Sequence, residues 1–178
     1  DKLDESMIAT AYDNGILSWR SKKSFSSDVV RLTNLFLEQP ENHFIKEFAE
    51  EVASLGMTAI FELTHPEARI VVSQQEPSFK LLHVRDNLTG EYVLLNKQHG
   101  IHHFLAKYPV PRVRMYAEHT LSSMIDTLTD MQNSEGYVVQ FKNGDMMKIK
   151  CPWYIRLHKS ITFLRERDIA ELVLNEEL

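Results

Sequence analysis

The alternation of apolar and polar positions changes period several times along the chain. Met7–Tyr12 and Ile16–Trp19 are apolar-rich runs separated by Asn14-Gly15, two residues with ready access to positive φ, and this spacing predicts a β-hairpin. Lys142-Asn143-Gly144-Asp145 does the same between Gly136–Phe141 and Met146–Lys150. Between the hairpins, Ala59–Leu63, Arg69–Ser73, Lys80–Arg85 and Glu91–Leu95 are short and rich in β-branched or aromatic residues, so they read as strands. Their short links favour antiparallel pairing.

A period near 3.6 interrupts this pattern. Ser26-Ser27-Asp28 can cap a helix that carries Val29, Leu32, Leu35 and Phe36 on one face. Glu41–Leu55 repeats Phe44, Ile45, Phe48, Ala49, Val52 and Leu55 at helical spacing, with Gly56 as a stop. Glu118–Met131 and Arg165–Leu178 are weaker helical stretches. There is no internal repeat, Pro/Gly/Ser linker or low-complexity run. The pattern predicts one α+β domain, with antiparallel sheets flanked by helices.

Composition narrows the class. A chain of 178 residues, 43% hydrophobic and 25% charged, is that of an ordinary folded domain, which excludes disorder and collagen. Its apolar runs, such as Phe79–Val84, are far shorter than the ~20 residues of a membrane helix. The opening Asp-Lys-Leu-Asp-Glu is no signal sequence. The single cysteine, Cys151, can form no internal disulfide, which suits a reducing, cytoplasmic setting. With a net charge of −5, nucleic-acid contact requires a local patch of lysine and arginine.

Candidate chemistry begins in the second hairpin. Lys148 and Lys150 project from one strand face and Ile149 from the other. Ammonium groups ~7 Å apart repel unless an anion lies between them, and a polyphosphate suits that place. Glu135, at the start of the paired strand, is placed to hold a hard cation such as Mg²⁺. A solvated sheet face of alternating charge is the plainer reading of this hairpin alone. Lys2-Leu3-Asp4 again sets two charged groups on one face, ahead of an apolar strand. Glu62 stands alone in Phe61-Glu62-Leu63, where a carboxylate either faces water or lines a site.

Taken in order, Lys2-x-Asp4-x-Ser6, Phe61-Glu62, Glu135-Gly136-x-Val138 and Lys148-x-Lys150 resemble the ordered motifs of covalent nucleotidyltransferases, the superfamily of ATP-dependent DNA and RNA ligases and mRNA capping enzymes. The intervening text is similar to the phage-type RNA ligase 1 family. It includes Trp19-Arg20-Ser21-Lys22-Lys23-Ser24, Phe61–Pro66 through Arg69-Ile70-Val71, Leu81–Tyr92, and Trp153-Tyr154 with Leu157-His158 after the lysine pair. The resemblance runs from Lys2 to about His158.

The resemblance implies an ATP-grasp-like ligase core at 1–158 that lacks the family's upstream segment, and a helical segment at 159–178 that starts a truncated C-terminal region. It also implies an ATP-dependent RNA ligase using ATP and Mg²⁺. Lys2 would attack the α-phosphorus and carry AMP, which passes to an RNA 5′-phosphate before a 3′-hydroxyl displaces it. The implied partners are RNA ends, such as those of a cleaved tRNA, and no membrane. Asp4 would assist the lysine and the later steps, Glu62 would bind the ribose hydroxyls, and Glu135 the metal. Lys148 and Lys150 would hold phosphate and favour the neutral amine, because a lysine of ordinary pKa ~10.4 is mostly protonated at neutral pH. Tyr154 would lie near the nucleotide or the RNA end, and Arg20 and Lys22 would contact phosphate or RNA.

Glu5 stands where the family has glycine. A carboxylate ~4 Å from a phosphate charge at an effective dielectric of ~20 costs up to ~4 kcal/mol, so the expectation is weak nucleotide binding and poor lysyl-AMP formation. A catalytically impaired nucleotide- or RNA-binding module of the same fold is the alternative. His99, His102 and His103 have helical spacing, but no cysteine or carboxylate motif accompanies them. Trp19 and Trp153 suit a core as well as a base stack, and Cys151 has no adjacent base.

Overall fold

Asn14 and Gly15 take φ of 49° and 82°. This is the turn whose twist matches that of paired strands, and it closes β1 (Ser6–Asp13) onto β2 (Ile16–Ser21). A computed structural model describes residues 1–68, 71–72, 75–93, 95, 101–116, 120–163 and 173–174. After α1 (Asp28–Leu37) and α2 (His43–Ser54) come β3 (Met57–Thr64), β4 (Ser78–Asp86) and β5 (Tyr92–Val93). These build an antiparallel sheet of order β2-β1-β3-β4-β5. Next follow α3 (Ile101–Lys107) and α4 (Leu121–Asp130), then the separate antiparallel hairpin of β6 (Gly136–Gln140) and β7 (Met146–Lys150), and α5 (Pro152–Phe163).

One face of the large sheet is the core. Ile8, Trp19, Ala59, Phe61, Leu63, Phe79, Leu81 and Val84 meet Val30, Leu32, Ile45, Phe48 and Val52 of the two long helices. Phe61 and Phe79 stack at 4.5 Å between centroids, and Trp19 meets both edge-on at 5.7 and 5.6 Å. Each such side chain contributes roughly 1.5–3 kcal/mol by burial, so Trp19 belongs to the core and not to a base stack. A β-bulge between Ile60 and Phe61 makes Leu82 an extra residue on β4, so burial passes from Phe79 and Leu81 to Val84. The opposite face carries the register row Met7, Glu62, Lys80 and beside it the row Arg20, Ala9, Ile60, His83.

A second apolar cluster forms under the hairpin from Val71, Val72, Leu128, Cys151 and Tyr154, with Tyr137, Ile149 and Trp153 against it. The two bodies are joined where Lys2 pairs with Gly136, its N–H donating to the Gly136 carbonyl at 2.8 Å.

Several local expectations need correction. Val71 and Val72 form a bend rather than part of a strand, because their N–H groups are taken by a side chain, and positions 69, 70 and 73 lie outside the described residues. Ser27 is the N-cap of α1 but makes no capping bond; its hydroxyl donates to Ser21 Oγ instead. A 3₁₀ turn at Pro40–Asn42 precedes α2, and α4 starts only after Thr120, whose side chain accepts from the Ser123 N–H. The run 165–178 lies outside the described residues except for 173–174, which are helical. α5 begins well before the helical segment expected at 159–178, and Pro152 at its first position is a helix-start signal. Among the described residues no helix is long and apolar enough to cross a membrane.

Candidate active site

Gly136 fixes the centre of the site. It has φ of +139°, and a Cβ there would come within 2.0 Å of the Ile149 carbonyl, so only glycine lets the backbones approach. On its two sides it pairs with Lys2 and with Lys150 of β7. Directly paired residues share a sheet face, so the two lysines flank a position without a side chain. Glu135 occupies the space between their heads. Its Oε2 lies 2.5 Å from Lys2 Nζ and its Oε1 2.9 Å from Lys150 Nζ, and the carboxylate is 3% exposed. A buried carboxylate of this kind is stable only because two ammonium groups hold it.

Glu62 faces the same space from the large sheet. It is 8% exposed, so it does not face water. Burial pushes its carboxyl up to about 7, Lys2 and Lys148 pull it down, and Glu135 pushes it up. The Glu5 N–H donates to Glu62 Oε1 at 3.2 Å. Lys148 pairs with Val138 and projects from the same hairpin face as Lys150. Five residues scattered over about 150 positions thus share one electrostatic field.

Asp4 lies two residues beyond Lys2. It is buried, and its Oδ2 accepts from the N–H groups of Val71 and Val72, both at 2.8 Å. Its Oδ1 accepts from the Tyr154 hydroxyl at 2.5 Å. Tyr154 is itself 2% exposed, with Lys150 Nζ 4.8 Å from its ring centroid. Burial first, then the bond to Asp4, holds its phenol well above the usual range. Asp4 and Tyr154 therefore tie the segment carrying Lys2 to the helix that follows Lys150. Nothing in the sequence announced the three donors to Asp4.

Glu5 is anchored by the turn that follows β3. Its Oε2 accepts from the His65 N–H, while its Oε1 is buried without a hydrogen-bond partner. Burial pushes this carboxyl up to about 7, the His65 bond lowers it and Asp4 raises it. Arg20 lies on the Glu62 face of the sheet, one register row away, but its guanidinium donates to the carbonyls of Ser21 and Lys22, both at 3.2 Å. Lys22 is exposed on the loop beyond β2. Neither joins the contacts around Glu135. Among the described residues no group of three histidine, cysteine or acidic side chains could hold a metal, and His99 and the side chain of His102 lie outside them. Cys151 is buried, with its thiol on the Ser134 carbonyl at 3.1 Å.

An antiparallel sheet thus faces a short hairpin, with a lysine at the junction and carboxylates on both walls. A family model described as RNA ligase matches residues 1–154, and the chain belongs to that family. It is 29% identical over 185 residues to the "Putative RNA ligase" of Thermovibrio ammonificans, covering 98% of this chain and 46% of the relative. It is 27% identical over 165 residues to RNA ligase 1 of Bacteriophage TS2126, covering 88% of this chain and 39% of that protein. The Naegleria gruberi RNA ligase with PPi shares the fold at TM-score 0.68 and 14% identity, over 89% of this chain and 50% of the other. A mutant of that ligase with ATP and Mn also superposes at 0.68, with 13% identity and the same coverage. The chain spans less than half the length of the curated relatives it matches.

Proposed function

We propose that this chain is the adenylating core of an ATP-dependent RNA ligase, with Lys2 as the nucleophile. The observation that carries this reading is the placement of Lys2 Nζ, 2.5 Å from Glu135 and facing Glu62, with Lys148 and Lys150 on the opposite wall. Lys2 and Lys150 satisfy Glu135 together. In the reaction the Lys2 ammonium loses a proton to water, its lone pair forms a bond to the α-phosphorus of ATP, and a second proton leaves the nitrogen to water as that bond forms. The bond to the bridging oxygen breaks and pyrophosphate leaves with that electron pair. Lys148 and Lys150 sit where negative charge grows on the phosphate oxygens, and fixed ammonium groups stabilise it without reorganising. Glu62 accepts from the ribose hydroxyls. Its place on a core strand sets the nucleoside against the sheet while Lys2 meets the phosphate.

Glu135, an oxygen donor now shared by two ammonium groups, is the residue that would hold a divalent cation such as Mg²⁺. Such an ion would supply charge neutralisation at the phosphates. Asp4 and Tyr154 act by holding the Lys2 segment against α5. The 1–158 region is the adenylating domain in this reading, with RNA ends, including those of a cleaved tRNA, as the substrate class and the cytoplasm as its setting. The test is transfer. The chain is incubated with labelled ATP, Mg²⁺ and a 5′-phosphorylated RNA. An AMP-capped RNA supports the reading. Saturable ATP binding with no transfer and no protein adduct supports the impaired module instead.

A further inference from the structure

The loop after β2 is built more firmly than a connection requires. Ser21 N–H donates to the Ser24 carbonyl at 2.9 Å, and Ser24 N–H returns a bond to Ser21 Oγ at 3.2 Å. Ser26 N–H donates to Ser24 Oγ at 3.0 Å, and Ser27 Oγ to Ser21 Oγ at 3.2 Å. Arg20, fixed by its two carbonyl contacts in the same loop, sets its guanidinium 5.1 Å from the centroid of the Phe25 ring. Phe25 is nevertheless 55% exposed. A large aromatic ring is thus held from one side by a planar cation and open to water.

Its surroundings are basic. Lys22 and Lys23 are both exposed, and no acidic residue occurs between Asn14 and Ser27, in a chain of net charge −5. The nearest in sequence beyond the loop, Asp28, is within 3.8 Å of Arg31. Ser21 pairs with Ile8, so the loop leaves the sheet at the end where Lys2–Glu5 run into β1. An aromatic face interleaved with cations matches what single-stranded nucleic acid requires, a stacking platform with phosphate-binding charge beside it.

We propose that residues 20–25 form a docking platform for a single-stranded RNA end approaching the Lys2 site, with one base stacked on Phe25 and the flanking phosphates on Lys22 and Lys23. The partner class rests on the RNA ligase reading; the platform rests on the loop itself. Because the ring is sequence-blind, the platform accepts any base.

The test uses a short 5′-phosphorylated single-stranded RNA with 2-aminopurine near its end, titrated at fixed salt into the parent, Phe25→Ala and Phe25→Trp. Binding is read by anisotropy and stacking by 2-aminopurine quenching. Formation of the protein–AMP adduct is measured alongside. Loss of one base stack weakens binding roughly five- to 150-fold. F25A should therefore bind the RNA at least about fivefold more weakly and lose the quench, F25W should restore both, and adduct formation should stay at the parent rate. F25A that binds and quenches like the parent overturns the platform and leaves the ligase reading standing. So does a parent chain that forms the adduct but does not bind the RNA. Phe25-dependent RNA binding without any adduct upholds the platform while the ligase reading fails.

Discussion

Glu62→Gln removes a buried titration while preserving the shape of the side chain and its acceptor for the Glu5 N–H, now 3.2 Å away. Burial, opposed by Lys2 and Lys148, raises the Glu62 carboxyl from an ordinary 4.5 to about 7. Between those values the folded chain keeps a proton that the unfolded chain has lost. The Glu62 contribution to stability is therefore greatest below about pH 4.5, falls as the pH rises, and levels off above about 7. Roughly 2.5 pH decades at ~1.36 kcal/mol each give a loss of about 3 kcal/mol. Glu5 titrates in the same window and is less buried, so it adds a smaller fall that survives in the variant. At pH 5 the glutamine variant should match its parent within ~1 kcal/mol. At pH 8 it should be more stable by about 2–3 kcal/mol, or roughly 5–10 °C in Tm for a chain of this size. Urea melts of both proteins at pH 5, 6, 7 and 8 measure this directly. Equal pH slopes for parent and variant would refute the claim that Glu62 is a desolvated carboxylate on the inner wall.

Lys148→Ala and Lys150→Ala should each abolish AMP adduct formation. K148A, at an exposed position, should shift stability by less than ~0.5 kcal/mol, checked by urea melts. Glu5→Gln should raise the rate of adduct formation by less than about tenfold at pH 7 and by more at pH 8. The Glu5 carboxyl, pushed up to about 7, is partly neutral at the lower pH; an equal gain at both pH values would contradict this. Tyr154→Phe leaves Asp4 buried with one donor missing, which should cost about 1–3 kcal/mol in urea melts and slow adduct formation, and an unchanged melt would show that the phenol does not hold Asp4.

The fold was legible where side-chain period and turn chemistry agree. Asn14-Gly15 and the alternating runs around it predicted the first hairpin, and the spacing of Ile45, Phe48 and Val52 predicted the second long helix. The stretch 69–73 misled because its valines are apolar for another reason: they cover the small cluster under Tyr154 while their N–H groups bind Asp4. A hydrogen bond from backbone to a carboxylate 67 positions away leaves no trace in local pattern. For the site, alternation placed Lys148 and Lys150 together, and the lone carboxylate in an apolar strand singled out Glu62. The contact of Lys2 and Lys150 with a single Glu135 depends on Gly136 admitting three backbones at one point. The hold on Glu5 was not legible, because its anchor, the His65 N–H, is brought close only by the tertiary fold.

The central claim is that Lys2 is the nucleophile, and mapping the adduct tests it most directly. The chain is incubated with ATP and Mg²⁺, denatured and digested, and the peptide carrying the extra mass of AMP is sequenced by mass spectrometry. The account predicts AMP on Lys2, its removal by added pyrophosphate, and no adduct in Lys2→Ala. AMP on another residue, or an undiminished adduct in K2A, would contradict it.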